Sequence, residues 1–179
     1  MLVNLSIKSR LIGMIVFMAI MLIIGGVVGL GGMAKTEAGL RTVYEDRTIP
    51  LGQVSTIESL LLQNRIDITA ASADPTPQFI AEKTGDAERN ILTISATWDA
   101  YMATFLTPDE KALADKFAAD RKRFIDEGLK PAIAALRAND IEGTKQILVT
   151  RIRPLFGPVA EGIRALRKLQ LDVAKQEYE

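Results

Sequence analysis

The sequence predicts an all-α protein, an up-down-up-down antiparallel four-helix bundle preceded by an N-terminal transmembrane helix. Three observations support this fold class. A long uncharged segment lies near the N-terminus, turn-forming residues divide the remainder into four stretches, and apolar residues in those stretches recur at alternating steps of three and four. No strand-like alternation of apolar and polar residues competes with this pattern.

The first element is the uncharged segment, residues 11–34, which would extend about 36 Å as a helix. That length is enough to span a bilayer core of about 30 Å, and it exceeds the roughly 7–15 apolar residues of a signal peptide. Lys8 and Arg10 precede the segment, so the positive-inside rule places residues 1–10 in the cytoplasm and residues 35–179 on the other side of the membrane. We therefore expect an uncleaved anchor.

Turn signals divide the remainder into the four bundle helices. The predicted helices cover residues 38–72, 78–105, 107–138 and 141–179. Pro50 interrupts the first one near its start, and a proline-rich turn at residues 73–77 ends it. The third starts at Thr107, where a hydroxyl cap, a proline and an acidic residue three positions on form a capping box, and Asn139 begins the last turn.

Three of these helices carry a narrow apolar seam, which is typical of bundle helices that cross at small angles. The seam of the second consists of Ala87, Ile91, Ile94, Trp98, Tyr101 and Phe105. That of the third consists of Leu113, Phe117, Phe124, Gly128 and Ala135, with Arg121 falling on it. That of the fourth consists of Ile152, Leu155, Val159, Gly162, Leu166, Leu169 and Val173.

The composition excludes most catalytic chemistry. The chain has no cysteine and no histidine, which excludes disulfides, thiol nucleophiles, iron–sulfur clusters and the usual general base and haem ligand. Acidic and basic residues number 22 each, so no charge excess indicates a nucleic-acid partner. No run of carboxylates has the spacing of a metal site. We predict a protein that is not an enzyme and has no cofactor or metal.

Three short motifs resemble the periplasmic ligand-binding region of methyl-accepting chemotaxis proteins, a resemblance that covers essentially the whole chain, anchor included. They are VYEDRTIPL at residues 43–51, LQNRIDI at residues 62–68 and WDAY at residues 98–101. The resemblance implies a bacterial inner-membrane receptor whose periplasmic bundle detects a small metabolite and forms a homodimer through its first bundle helix. We expect that contact to begin at the apolar residues Leu51, Val54, Ile57 and Leu61. The resemblance also implies a second membrane helix and a cytoplasmic signalling region. We expect both to be absent from this chain, which ends in mid-helix.

Arg121 is the most unusual residue of the sequence, because a guanidinium on an apolar seam is costly without a partner. One interpretation is an anion site, in which the carboxylate of a ligand pairs with Arg121 in a bidentate manner. The alternatives are an internal salt bridge to Asp67 or Glu88, and extension of the side chain to the surface.

Arg65 is the second candidate, and the resemblance supports it. Aspartate-sensing relatives carry two further arginines on the same helix, where this chain has Ala70 and Asp74. These departures argue against amino-acid sensing at a dimer interface and leave open an organic acid bound mainly within one bundle. Along the bundle Arg65 and Arg121 are predicted to lie about 13 Å apart, so whether they share one site stays open.

Five other residues complete the predicted ligand-binding set: Thr69, Thr93, Thr97, Phe124 and Arg151. Their depths along the predicted helices are close to those of the two arginines. Threonine hydroxyls on a helix more often bond to their own backbone than to a ligand. Trp98 and Tyr101 follow the core pattern and are expected to pack.

The leading functional hypothesis is a chemoreceptor sensor for a di- or tricarboxylate, which displaces the fourth helix and so passes a signal through the membrane. One alternative keeps the sensor but attaches it to a kinase or a cyclase. Another is an amine or aromatic ligand contacted by Phe124 and Tyr101. A third is a single-pass scaffold that binds a protein partner.

Overall fold

The structure is a computed structural model that describes residues 7–43, 48–104 and 106–178. The chain divides into two compact units, residues 1–43 and residues 44–179. Phe105 of the predicted seam and residues 44–47 of the first motif lie outside the described residues.

The first unit contains one long helix, α1 (Ile7–Val43). Its segment Leu11–Glu37 is long and apolar enough to cross a membrane. The large apolar side chains between Leu11 and Met33 are exposed, a situation that water penalises and a lipid core does not. Residues 38–43 of the predicted first bundle helix are helical and belong to α1, which continues without a break to Val43.

The second unit is a four-helix bundle, as predicted, and every element in its described residues is helical or a turn. The elements are α2 (Ile49–Ala73), α3 (Pro77–Met102), α4 (Pro108–Arg123), α5 (Lys130–Arg137), α6 (Ile141–Ile147) and α7 (Arg153–Tyr178). The third bundle helix is α4 and α5, joined by a π-helical segment, and the fourth is α6 and α7, joined by another. α2 packs along α3, α4 along α7 and α5 against α3, which closes the bundle.

The helix starts follow local chemistry. Pro50 occupies the first turn of α2, where a missing N–H costs nothing. At α4 the Thr107 hydroxyl accepts a hydrogen bond from the Glu110 amide at 3.2 Å, as the capping motif predicts. The Asp140 carboxylate caps α6 through the Gly143 amide at 2.9 Å, and Asn139 turns the chain with a φ of 56°.

Most of the predicted seam residues are buried, and five are half-buried: Ile91, Leu113, Leu155, Leu169 and Val173. Ala135 is half-buried as well. The neighbouring positions Ala132, Ile133 and Leu136 are buried in its place. The cause is the π-helical segment Phe124–Leu129, whose wider turn shifts every later side chain around the helix axis.

The two π-helical segments have the same local arrangement. Phe124–Leu129 is followed two positions later by Pro131, and Leu148–Ile152 is followed two positions later by Pro154. A proline inside a helix removes one donor and its ring collides with the carbonyl four residues before it, and a wider turn relieves that collision. The segments face each other, since a Cβ on Gly128 would lie 3.4 Å from Cγ1 of Ile152.

The interface between α2 and α3 contains a buried polar layer. The Asn90 amide donates to Oδ1 of Asn64 at 2.9 Å, and Asn64 is fully buried. One turn along α2, Asp67 is 2% exposed, accepts from Gln63 at 3.0 Å and lies 3.9 Å from the Lys83 ammonium. Buried polar groups that pair across an interface favour one register of the two helices, because a shift would leave them unpaired.

Candidate functional site

Arg65 lines a groove of about 430 Å³ on the outer face of α2. All residues of this groove come from α2 itself: Leu62, Arg65, Ile66, Thr69, Ala70 and Ala73. Leu62 is 41% exposed and Ile66 58% exposed, so the groove has an apolar, solvent-facing floor with one cation in it. We call this the α2 groove.

The Arg65 guanidinium lies over the ring of Phe156 in α7, with Cζ at 4.2 Å from the ring centroid. Phe156 in turn contacts Phe124 of the third bundle helix, with ring centroids 5.6 Å apart and a tilt of 58°. Phe124 is fully buried. A chain of three side chains therefore connects the α2 groove with the fourth and third bundle helices.

Arg121 lies in a different environment. It is half-buried, its Nη1 donates to the Ile94 carbonyl of α3 at 3.3 Å, and its guanidinium lies 5.3 Å from the ring centroid of Trp98. Burial lowers the pKa of Arg121, and the nearby carboxylate of Asp99 partly opposes that shift. Its Nε is buried and has no hydrogen-bond partner among the residues that the structure describes.

Neither internal acid proposed for Arg121 pairs with it. Glu88 forms a bidentate ion pair with Arg137, both N–O distances being 2.7 Å, and this pairing lowers the pKa of Glu88. Asp67 faces Lys83 across the α2–α3 polar layer. Arg121 thus places a cationic group in the bundle, where it contacts the Trp98 ring and the Ile94 carbonyl.

Two of the three predicted threonines donate their hydroxyl groups to carbonyls of their own helix. The Thr69 hydroxyl donates to the Arg65 carbonyl at 2.7 Å, and the Thr93 hydroxyl donates to the Arg89 carbonyl at 3.0 Å, each within its own helix. Thr97 is half-buried on α3. Thr69 lines the α2 groove, where its oxygen can still accept a hydrogen bond.

The structure brings only part of the predicted set together. Arg65 and Thr69 share the α2 groove, and Phe124 joins them through Phe156. Arg121 contacts α3 on its own, and Arg151 is exposed in the second π-helical segment. Arg65 and Arg121 have no contact residue in common among the described residues, and only Arg65 lines the α2 groove.

Sequence reasoning missed Phe156, because it stands one position beside the Leu155 seam and carries no motif. Its only signal is its place midway between Pro154 and Pro158. A second groove, of about 620 Å³, was also not predicted. It lies between α3 and α5 and is lined mainly by Ile91, Leu92 and Ile133, with the Glu88–Arg137 ion pair beside them.

A third feature that the sequence did not predict is a buried carboxylate. Glu110 accepts a hydrogen bond from the Tyr101 hydroxyl at 2.6 Å and another from the Gln170 amide. All three residues are buried and belong to α3, α4 and α7, so this network connects three helices at one end of the bundle. Among the described residues, no cluster of three or more acidic side chains has the arrangement of a metal site.

Comparison with known proteins identifies the class of this bundle. The family described as "Tar ligand binding domain homologue" matches residues 1–174. The chain belongs to this family. Its resemblance to chemotaxis receptors is thereby confirmed, and so is the prediction of a sensory, non-enzymatic domain.

The Tar ligand-binding domain of this chain is also similar to a curated protein, the methyl-accepting chemotaxis protein NahY of Pseudomonas putida. The two are 29% identical over 180 residues, which cover 97% of this chain and 32% of that protein. The chain therefore spans about a third of the length of this relative. The comparison with solved structures found no match.

Proposed function

We propose that the chain is the sensory part of a bacterial chemoreceptor that detects a small carboxylated metabolite, such as a di- or tricarboxylate, at Arg65. The observation that carries this proposal is a half-buried arginine that lines an open groove, whose other residues supply apolar surface and the Thr69 hydroxyl. A guanidinium presents paired N–H donors that match a carboxylate.

The site would be completed by a second copy of the chain. All six lining residues of the α2 groove lie on one helix, so the groove has an open side, and Leu62 and Ile66 expose apolar surface there. Pairing two copies about a two-fold axis through α2 would cover that surface and enclose the ligand.

The predicted dimer surface needs one correction. Leu51, Val54, Ile57 and Leu61 were expected to begin the contact, but Val54, Ile57 and Leu61 are at most 1% exposed and belong to the bundle core. The outward face of α2 contains Leu62 and Ile66 in their place.

In the receptor, α1 would anchor the chain in the inner membrane and the bundle would lie in the periplasm. Lys8 before the candidate span supports this orientation through the positive-inside rule. The output would be chemotaxis, and a kinase or cyclase attached to the same sensor is the alternative.

A carboxylate is favoured over an aromatic or amine ligand. The contacts that such a ligand would use, Phe124 and Tyr101, are fully buried in the core. The acid that would then satisfy Arg121, Glu88, already pairs with Arg137. Arg65, by contrast, is accessible in a groove.

Calorimetry on the full chain in detergent tests the proposal, with citrate and succinate as probes. We expect binding that weakens with salt and that falls at least about tenfold in Arg65→Ala, since hydrogen bonds to charged groups contribute about 1.5–3 kcal/mol. Arg164→Ala, which removes an exposed arginine of α7, is the matched control.

Further outcomes of these binding measurements also bear on the proposal. A comparable loss in Arg121→Ala would place both arginines in one site. Carboxylate binding unchanged in Arg65→Ala, or stabilisation by cationic compounds alone, would contradict the proposal.

A further inference from the structure

Phe156 occupies a particular place in the fourth bundle helix. It stands midway between Pro154 and Pro158, four positions after the end of the π-helical segment Leu148–Ile152. Each of the two prolines lacks the N–H that would bond to the carbonyl four residues before it. The backbone around Phe156 therefore lacks two helical hydrogen bonds, and a helix bends more easily at such a segment.

The side chain of Phe156 holds this segment against two other helices. The Arg65 guanidinium lies over one face of its ring, with Cζ 4.2 Å from the ring centroid. The ring also packs on that of Phe124, with centroids 5.6 Å apart. These contacts attach the segment to α2 and to the third bundle helix. An aromatic ring over a planar guanidinium contributes attraction and also fixes the orientation of the plane.

Arg65 can bind a ligand and contact Phe156 at the same time. The ring occupies a face of the guanidinium, whereas a carboxylate binds at its edge through two parallel N–H donors. A carboxylate in the α2 groove would therefore fix the plane of the guanidinium further, and would do so without displacing Phe156.

We infer that Phe156 is the positioning residue that couples the Arg65 site to the fourth bundle helix. Its ring orients the guanidinium for the ligand, and any change in that orientation acts on α7 at this easily bent segment. By reciprocity, the position of α7 sets the affinity for the ligand. This inference rests on the proposed function at Arg65, so its test has one arm that needs no ligand.

The ligand-free arm measures the position of α7 by spin-label distances. The chain has no cysteine, so Ala96→Cys on α3 and Arg164→Cys on α7, both at exposed positions, give a specific pair of labels in the full chain. We expect Arg65→Ala and Phe156→Leu to change the distance distribution in the same way, and the double variant to add nothing. Additive changes, or no change in Phe156→Leu, would overturn the inference.

A matched control is available within the same bundle. The Lys83 ammonium lies 5.4 Å from the ring centroid of Phe79 in α3, so Phe79→Leu removes a cation–π contact of the same kind. This contact lies within one regular helix, and we expect the distance distribution to stay unchanged. Phe156→Tyr, which keeps the ring, should behave as the wild type in both arms.

The second arm adds citrate or succinate. We expect a carboxylate to shift the wild-type distribution, whereas Phe156→Leu should bind about three- to tenfold more weakly and, at saturation, show no shift. A full shift in saturated Phe156→Leu would overturn the coupling. If the wild type binds neither probe, the proposed ligand class fails, and the ligand-free arm still decides the role of Phe156.

Discussion

The α2–α3 pair and the fourth bundle helix are built from similar apolar seams but differ in how firmly they are held. α2 and α3 contain proline only in their first turns, and the Asn64–Asn90 hydrogen bond fixes their register. The fourth bundle helix contains a π-helical segment and interior prolines, and is attached at that point by Phe156. In a sensor of this kind a fixed pair can carry the ligand site while a more easily bent helix carries the signal.

The largest expected effect is on packing. Leu61→Ala in α2 should reduce the free energy of unfolding by about 2–5 kcal/mol, because Leu61 is fully buried and the substitution leaves a cavity. Leu155→Ala should cost less, since Leu155 is only half-buried beside the second π-helical segment. Urea unfolding of the detergent-solubilised chain, followed by circular dichroism, measures both.

Leu62→Ala is the matched control for this comparison. It is the next residue along α2 but is 41% exposed, so its effect on unfolding should stay within about 0.5 kcal/mol. Equal losses in Leu61→Ala and Leu155→Ala would contradict the contrast between the two regions.

The second expected effect concerns the polar layer. Asn64→Ala leaves the Asn90 amide without its acceptor and should cost about 1–3 kcal/mol of unfolding free energy. The double variant Asn64→Leu, Asn90→Leu should lose less than the sum of the two single leucine variants, because neither polar group is then left unpaired. Additive losses on urea unfolding would show that this hydrogen bond does not couple the helices.

The sequence predicts some features of these two regions and not others, depending on whether neighbouring residues encode them. Apolar steps of three and four locate α3 and α7, and Thr107 locates the start of α4, because these depend on neighbouring residues only. The π-helical segments do not show in the apolar pattern, and their local signal is the proline two positions after each of them. A regular helix would carry the seam from Gly128 to Ala135, whereas the wider turn buries Ala132 and Leu136.

The site was predictable only in part for the same reason. Arg65 was identified from a short motif and Arg121 from its place on a seam, and both are features of one helix. The partners of these arginines, Phe156 and Trp98, come from other helices and depend on rotation about each axis. Helical periodicity does not specify which residues of two helices meet.

The smallest expected effect concerns Asp126, which lies in the first π-helical segment and pairs with Lys122 and Lys130 one turn to either side. The two ammonium groups lower the pKa of Asp126 from 3.8 to about 2. Because this pKa lies below the unfolded value, the pairing stabilises the fold above about pH 3.8 and is lost as the pH falls towards 2. No ion pair in the described part of the chain spans the second π-helical segment.

Carbon NMR of the Asp126 carboxyl group measures this titration directly. We expect a midpoint near 2 in the wild type and a rise towards the ordinary value in the variant Lys122→Ala, Lys130→Ala. A midpoint unaffected by removing both lysines would show that the first π-helical segment is not held by these pairs.

Hydrogen exchange of the full chain, measured with and without a saturating carboxylate, tests the central claim most directly. Without ligand, amides of residues 148–158 should exchange faster than those of residues 57–71, since the former have fewer backbone hydrogen bonds. With citrate or succinate bound, protection of residues 148–158 should rise by about tenfold, equivalent to a coupling of about 1.4 kcal/mol, while residues 57–71 change little. A uniform rise across the bundle, or one confined to the residues around Arg121, would contradict the account.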